Sequence, residues 1–362
     1  MPPRRRALLL AALAGTGPAF ALRPRPLAFP RDHGSHPDSR TEWWYLTGWL
    51  QAGGEAPIAG FQLTFFRSRT GFGDSHPSAF AARQLLFAHA AFTDLSDRKL
   101  MHDQRSARAG LGLAEASADD TDLVIDRGPR EWTLRRATVD GHSRYDARWQ
   151  TAGLSLQLSA TAAQPPLLQG DAGWSRKGPL AQQASQYVSE PQLVVQGRLE
   201  RGGRGREVTG RAWLDHEWSD ELLAAGVVGW DWIGMNLFDG SALTAFQLRD
   251  GAGRAQWAGG SLRAPAGAAQ AFDAPAVRFE AAGQTWRSPT TGARYPTGWT
   301  VHTPAGRWTV RPLLAAQELD SRASTGTAYW EGLSELLDER GQVVGRGYLE
   351  MTGYAGALRL TS

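Results

Sequence analysis

The chain has 362 residues, with 39 lysines and arginines against 36 aspartates and glutamates, 15 tryptophans and no cysteine. Three of the cations, Arg4, Arg5 and Arg6, fall in the first 21 residues, so the remainder is balanced and carries no electrostatic footprint for nucleic acid. Without cysteine there are neither disulfides nor a lipid-modified N-terminal Cys, and the fold must rest on core burial, which a chain of this length can supply as two domains.

Met1 to Ala21 (MPPRRRALLLAALAGTGPAFA) has a basic start, an apolar run and an Ala-Phe-Ala ending, the pattern of a signal peptide. Paired arginines there also permit a twin-arginine export route. Leu8 to Leu13 is too short to span a bilayer, so the expectation is an exported protein, periplasmic or secreted. Residues 22–37, rich in Pro, Arg and His, read as an irregular lead-in.

Almost everything after that reads as strand. Glu42 to Gln51 and Ile58 to Arg67 are aromatic and β-branched runs joined by a hairpin signal, followed by Arg83 to Asp94. Short strands are predicted at Leu123 to Ile125, Glu131 to Ala137 and Tyr145 to Thr151, and Leu154 to Ala160 alternates apolar with polar. Gln164 to Gln183 reads as a long loop. Strands resume at Gln192 to Leu199 and Val208 to Leu214, the latter closing the first half, and Glu221 to Val228 is predicted as a short linking helix. The second half gives strands at Trp232 to Phe238, Ala242 to Arg249, Gln256 to Leu262, Val277 to Ala281, Gly298 to His302, Gly306 to Pro312, Tyr329 to Leu337 and Val343 to Thr352. Many short strands at this spacing predict an all-β fold of antiparallel barrels or sandwiches, with domains at residues 38–220 and 221–362.

The densest chemistry lies between Val208 and Trp232 (VTGRAWLDHEWSDELLAAGVVGWDW). Ionisable groups beside indoles are costly to bury unless paired or shifted in pKa, so the stretch is either a buried ion-pair network or a site. Strand alternation sends Asp215 and Glu217 one way and His216 and Trp218 the other, and splits Trp230 and Trp232 from Asp231. The economical arrangement puts His216 and Trp218 into a cavity, with Asp215 or Glu217 fixing a tautomer or binding an arginine. In the first strand Trp43 and Tyr45 share a face opposite Trp44, and Arg40 pairs with Glu42. HExxH and Gly-x-Ser-x-Gly are absent, so neither a metal nor a cofactor is expected and no serine nucleophile stands out.

The strings GSHPDSRTEWWYLTGWL, GFQLTFFR, LLQGDAGWSRKG, GRAWLDHEWSD, GWDWIGMNLFDG, TGARYPTGW and GYLEMTGY together resemble the lipocalin-like family of carotenoid 1,2-hydratases (hydroxyneurosporene synthases). They are more closely similar to its secreted AttH-like branch, whose members carry the label of predicted secreted hydrolases. The resemblance implies two lipocalin-like (calycin-like) antiparallel β domains packed side by side, with a cavity in or between them for a small hydrophobic ligand. It also implies acid-catalysed addition of water to a C=C of an isoprenoid or lipid-like molecule. His216 and Trp218 match the family's functional His and Trp, and Asp231 is the best match to its acid. On this reading Asp231 or Asp215 is the acid and His216 positions water. Trp218, Trp230, Trp232, Trp43, Trp44 and Tyr45 line the ligand, and Glu217, Arg40 and Glu42 form a structural network. A non-catalytic carrier, with a membrane-associated or transporter partner, competes with the hydratase, and a secreted hydrolase ranks third.

Overall fold

A strand sends successive side chains to opposite faces, so a run such as Thr41–Gln51, aromatic or aliphatic on both, has to be covered on both sides. The computed structural model describes residues 22–358 apart from 55, 72–75, 79 and 222, and meets that demand with two antiparallel sheets laid against each other. The expected leader, residues 1–21, lies outside the described residues.

The first sheet is built from β1 (Thr41–Gln51), β2 (Ala59–Arg69), β3 (Gln84–Asp94), β4 (Lys99–Arg108), β5 (Ala114–Ala116), β6 (Asp122–Ile125) and β7 (Trp132–Val139). It continues with β8 (His142–Thr151), β9 (Leu154–Thr161), β10 (Leu167–Leu168), β11 (Trp174–Arg176), β12 (Ala184–Arg201) and β13 (Arg204–Ser219). Its order is β4-β3-β2-β1-β13-β12-β9-β8-β7-β6-β5, with β10 and β11 beside the first half of β12, and β6 returns against β3 and β4 so that the barrel nearly closes.

The second half contributes β14 (Val227–Leu237), β15 (Ala242–Asp250), β16 (Ala255–Arg263), β17 (Ala269–Phe272), β18 (Arg278–Ala281), β19 (Thr285–Arg287) and β20 (Arg294–Pro296). It ends with β21 (Trp299–Thr303), β22 (Gly306–Pro312), β23 (Glu318–Ser321), β24 (Thr327–Leu337) and β25 (Val343–Met351). Here the order is β17-β16-β15-β14-β25-β24-β22-β21-β18, with β23 on β24 and β19–β20 a separate ribbon.

Alternation divides the apolar residues into three layers. Trp44, Leu46 and Leu50 of β1 fill the first barrel with Phe61, Leu63, Phe65, Trp132 and Trp149. Ile233, Met235, Trp299, Trp330 and Leu349 fill the second. The opposite face of β1, Tyr45 and Trp49, meets Trp213, Trp232, Phe246, Leu333 and Tyr348 in a layer between the sheets. Gly234 leaves room there for the edge-to-face pair of Trp213 and Trp232, because a Cβ on it would sit 2.3 Å from the Trp232 ring.

The all-β expectation holds, and several details differ. Glu221 to Val228 is not a helix: Gly226 takes φ +86° in a turn and Val227 already belongs to β14. The expected loop Gln164 to Gln183 carries β10 and β11, which cover β12 from its start at Ala184. The Asp215 strand is last in sequence but central in the sheet, between β1 and β12. Strands β4, β5, β17, β19, β20 and β23 are additional; most are short or half-wet and lack a strong apolar run.

A polar clasp joins the halves where β12 bulges. Gln192, held at φ +58°, donates its backbone N–H to Asn236 Oδ1 at 2.7 Å and its amide to the carbonyls of Leu237 and Ser241, while Asn236 Nδ2 reaches the Ala212 carbonyl at 3.0 Å. Replacing Asn236 by Leu strands two buried backbone groups, each worth roughly 1–3 kcal/mol when unmade. Urea unfolding of Asn236→Leu is expected to show a loss of about 2–4 kcal/mol, and a loss below about 0.5 kcal/mol would contradict the clasp.

Candidate functional site

The layer between the sheets is not solid. A chamber of about 100 Å³ opens where β1 supplies Trp43 and Tyr45, β2 supplies Gln62, Thr64 and Phe66, and β12 and β13 supply Tyr187, Asp215 and Glu217. From the second sheet come Trp230 and Trp232 of β14, Phe246 and Leu248 of β15, Tyr329 and Glu331 of β24 and Glu350 of β25, and Lys177 reaches in beyond β11. An outer vestibule of about 220 Å³ adjoins it, sharing Trp43, Phe66, Trp230, Tyr329 and Glu350 and adding Leu85, Phe87 and His89.

Four carboxyls face this aromatic space. Asp215 accepts from Tyr187 Oη (2.7 Å), Ser189 Oγ (2.5 Å) and Trp213 Nε1 (2.6 Å). Burial nevertheless outweighs these bonds and pushes its pKa up to about 7. Glu217 is paired with Lys177 Nζ at 2.9 Å and hydrogen-bonded by Ser185. Glu350 accepts from Trp230 Nε1 at 3.0 Å and is pushed up to about 7, first by burial and further by the charges of Asp215 and Glu217. Glu331 is 2% exposed and neither of its oxygens makes a hydrogen bond. Burial, then the charge of Glu350, holds it well above the carboxylate range, with the Tyr45 hydroxyl near enough to oppose slightly.

Glu331 and Glu350 are direct cross-strand partners of β24 and β25. Carboxyls so placed have Cβ atoms about 5 Å apart, and in a dry pocket the two cannot both ionise, so the pair holds a proton at neutral pH.

The other face of β13 carries a different assembly. Glu42 accepts from His216 Nε2 (2.9 Å), His36 Nδ1 (2.7 Å) and Arg67 Nε (2.7 Å), its cross-strand neighbour on β2. His216 stacks on Trp44 at 4.5 Å and His36 on Trp218 at 3.7 Å. Asp32 of the lead-in accepts from His36 Nε2 and is gripped by Arg25 at 2.6 and 2.7 Å, so residues 25–42 stopper this end of the first barrel. Burial lowers the His216 pKa, with Glu42 opposing. His36, Glu42 and His216 bring ligand-type atoms within 4.8 Å, yet the Glu42 oxygens are already spanned by these three donors and the His36 backbone N–H.

The predicted site residues therefore divide. Trp43, Tyr45, Trp230, Trp232, Asp215 and Glu217 line the chamber. His216, Trp218 and Trp44 do not; strand parity turns them into the first barrel, where the lead-in covers them. Asp231 also faces away, into the second barrel, saturated by Arg249 Nε (2.7 Å), Gln247 Nε2 (2.8 Å) and Tyr354 Oη (2.9 Å). Burial raises its pKa and Arg249 counters. The arginine of Glu42 is Arg67, not Arg40, which lies outside β1 with an exposed side chain and gives its backbone N–H to Asp220. Glu217 pairs with Lys177, not with an arginine, and the tautomer of His216 is set by Glu42.

Glu331, Glu350, Lys177, Tyr187 and Tyr329 were not singled out by sequence reasoning. A signal for the first two was there: each is a carboxylate flanked by aromatic or aliphatic residues within a strand, sharing a face with Tyr329 and Leu333 or with Tyr348.

The stopper gives a stability test. Against burial, hydrogen bonds from His216 and His36 and then the charge of Arg67 hold Glu42 below the usual carboxylate range, and Asp32 is held low against burial by Arg25, His36 and the Ala28 N–H. A depressed folded pKa contributes stability that is complete above the unfolded pKa and is lost as pH falls through it toward the folded value. Glu42→Gln is expected to cost about 3–5 kcal/mol at neutral pH and to flatten the loss of stability below about pH 4. Denaturant melts across pH measure both, and an unchanged acid limb would refute the role.

The profile of the AttH-like family matches residues 21–354. No curated protein matches the chain. Among solved structures, an AttH protein of Nitrosomonas europaea is 46% identical, with TM-score 0.83, covering 93% of this chain and 99% of that one. Kievitone hydratase of Nectria haematococca shares the fold at 14% identity and TM-score 0.69, covering 91% and 94%. CghA does so at 14% identity and TM-score 0.52, covering 88% of each chain.

Proposed function

The chain belongs to the AttH-like family, and on that premise we propose that it adds water to a carbon–carbon double bond of an apolar ligand held between the two β domains. The observation that carries this reading is the Glu331–Glu350 pair, a proton-bearing carboxyl couple set among Trp43, Trp230 and Trp232. Similarity of fold to a protein named kievitone hydratase supports the reaction class.

An isolated alkene is hydrated by protonation at carbon, which needs an undissociated acid in a dry place. Glu331 supplies it. Its carboxyl proton passes to the less substituted alkene carbon, the π electrons form the new C–H bond, and a tertiary cation remains on the other carbon. A water oxygen donates a lone pair to that cation, forming the C–O bond, and its proton goes to the Glu350 carboxylate. Proton exchange across the pair restores Glu331, so the sum is one H and one OH added to the ligand. Two groups whose pKa values are driven apart by their surroundings suit acid and base roles.

The indole faces stabilise the cation by about 2 kcal/mol or more when desolvated. Asp215, to the extent that it is ionised, and Glu217 are fixed by hydrogen bonds and add a negative field that needs no reorganisation. A chamber of about 100 Å³ takes only one end of a ligand and the vestibule takes the rest, which favours an isoprenoid or lipid-like chain. The leader pattern of residues 1–21 supports export, and mass spectrometry of the mature N terminus from the periplasmic fraction tests it.

Incubation of the purified protein with terminally branched isoprenoid alkenes, followed by mass spectrometry, is expected to show gain of one water. Glu331→Gln should lower turnover at least ~100-fold while ligand binding, read by tryptophan fluorescence, persists. The rate should rise as Glu350 ionises through about pH 7 and fall only where Glu331 loses its proton. An intact lipid that co-purifies and yields no product would favour the carrier instead.

A further inference from the structure

One wall of the chamber already holds an ammonium. Lys177 Nζ lies 2.9 Å from a Glu217 oxygen and 3.1 Å from Ser175 Oγ, with the Phe246 ring at 4.2 Å and the Tyr187 ring at 4.8 Å. Another part of the lining has the same chemistry, with Glu331 and Glu350 among Trp43, Trp230, Trp232 and Tyr45, and no cation of its own among the described residues. Among the described residues Lys177 is the one lysine or arginine lining the chamber, and Arg67 beside the vestibule is committed to Glu42. Glu331 lines that half, and both of its carboxyl oxygens are buried and unbonded.

We propose that this half of the chamber binds a compact tertiary or quaternary ammonium head group, with an apolar tail running into the vestibule along Phe66, Leu85 and Phe87. Aromatic faces with adjacent carboxylates recognise such cations, since a quaternary nitrogen has no proton to donate and is held by ring quadrupoles and charge. Size agrees: an apolar cavity of about 150 Å³ holds benzene, so about 100 Å³ accepts a head of roughly five heavy atoms. A phosphocholine head is excluded, because its phosphate would lie against the carboxyl cluster.

Facing the chamber are Asp215, Glu217, Glu331, Glu350 and Lys177, with the phenols of Tyr45, Tyr187 and Tyr329; His89 lines the vestibule, and Glu42 and Arg67, paired on the barrel side, border it. An incoming cation relieves the repulsion between Glu331 and Glu350, and the proton they hold leaves to solvent. The inference needs no turnover: in a carrier the ammonium is the cargo, whereas in the proposed enzyme it takes the place of the alkene end and displaces the proton that Glu331 delivers, so there it acts as an inhibitor.

Isothermal titration with three probes below their micelle concentrations tests it: decyltrimethylammonium, its uncharged analogue ending in a tert-butyl group, and decylphosphocholine. At about pH 8 the ammonium should bind at least ~10-fold tighter than either of the others, as expected for a desolvated cation–π site. Its heat should vary with the ionisation enthalpy of the buffer, reporting proton release, and the preference should shrink at about pH 5, where both carboxyls are protonated. Glu350→Gln should abolish the preference while leaving affinity for the uncharged analogue within about twofold, and Glu331→Gln serves if that variant melts without cooperativity. Equal affinity for the ammonium and its analogue, a preference that survives Glu350→Gln, or phosphocholine bound as tightly as the ammonium would each overturn the proposal.

Discussion

Taking a carboxyl out of water is among the costliest things a fold can do, and this one does it four times in a single space. Asp215, Glu217, Glu331 and Glu350 converge between two sheets whose facing surfaces are otherwise aromatic. Among the described residues only Glu217 of these four has an ion-pair partner, Lys177. Hydrogen bonds compensate Asp215 and Glu350 only in part, whereas Glu331 makes none. The remaining deficit is met by keeping a proton. Groups whose folded pKa is raised favour the native state at low pH and oppose it as pH climbs through the folded value, so the chamber is a place where stability is given up near neutrality. Such deficits concentrate at functional sites because structural packing has no use for them.

The fold can carry that deficit because the same strands are over-determined on their other face. β13 presents Asp215 and Glu217 to the chamber and His216 and Trp218 to the barrel, one residue apart. On the barrel side Glu42 is answered by Arg67 and two imidazoles, and Asp32 by Arg25 and His36. In the second sheet β14 repeats the division, with Trp230 and Trp232 lining the chamber and Asp231 locked to Arg249 behind them. A string of mixed charges and indoles in the sequence is thus two assemblies seen edge-on, one that holds the barrel shut and one that lines the chamber.

Strand alternation made much of this legible. The all-β class, the β1–β2 hairpin, the opposed faces of Trp43 and Trp44, and the separation of Asp215 from His216 all follow from a period of two. Alternation says which residues share a face, but not which face meets a cavity, and for this reason His216 and Trp218 were expected in the chamber while Glu217 was expected in a support. Asp231 failed for a related reason: its arginine lies on β15, out of reach of any local pattern. Glu331 and Glu350 are 19 positions apart and become partners only through the register of β24 and β25. The helix expected at Glu221 to Val228 gave way to a turn at Gly226 because β14 begins at once, driven by pairing with β15 and β25.

The central claim is that a carboxyl in the chamber keeps its proton in neutral water, and infrared spectroscopy sees that proton without needing a substrate. Difference spectra between the wild-type protein and Glu331→Gln at about pH 7 should contain the carbonyl stretch of an undissociated, weakly hydrogen-bonded carboxylic acid, shifted on deuteration and absent from the variant. A difference spectrum showing only carboxylate bands would mean that Glu331 is ionised and hydrated, and the chamber would then be neither dry nor acidic.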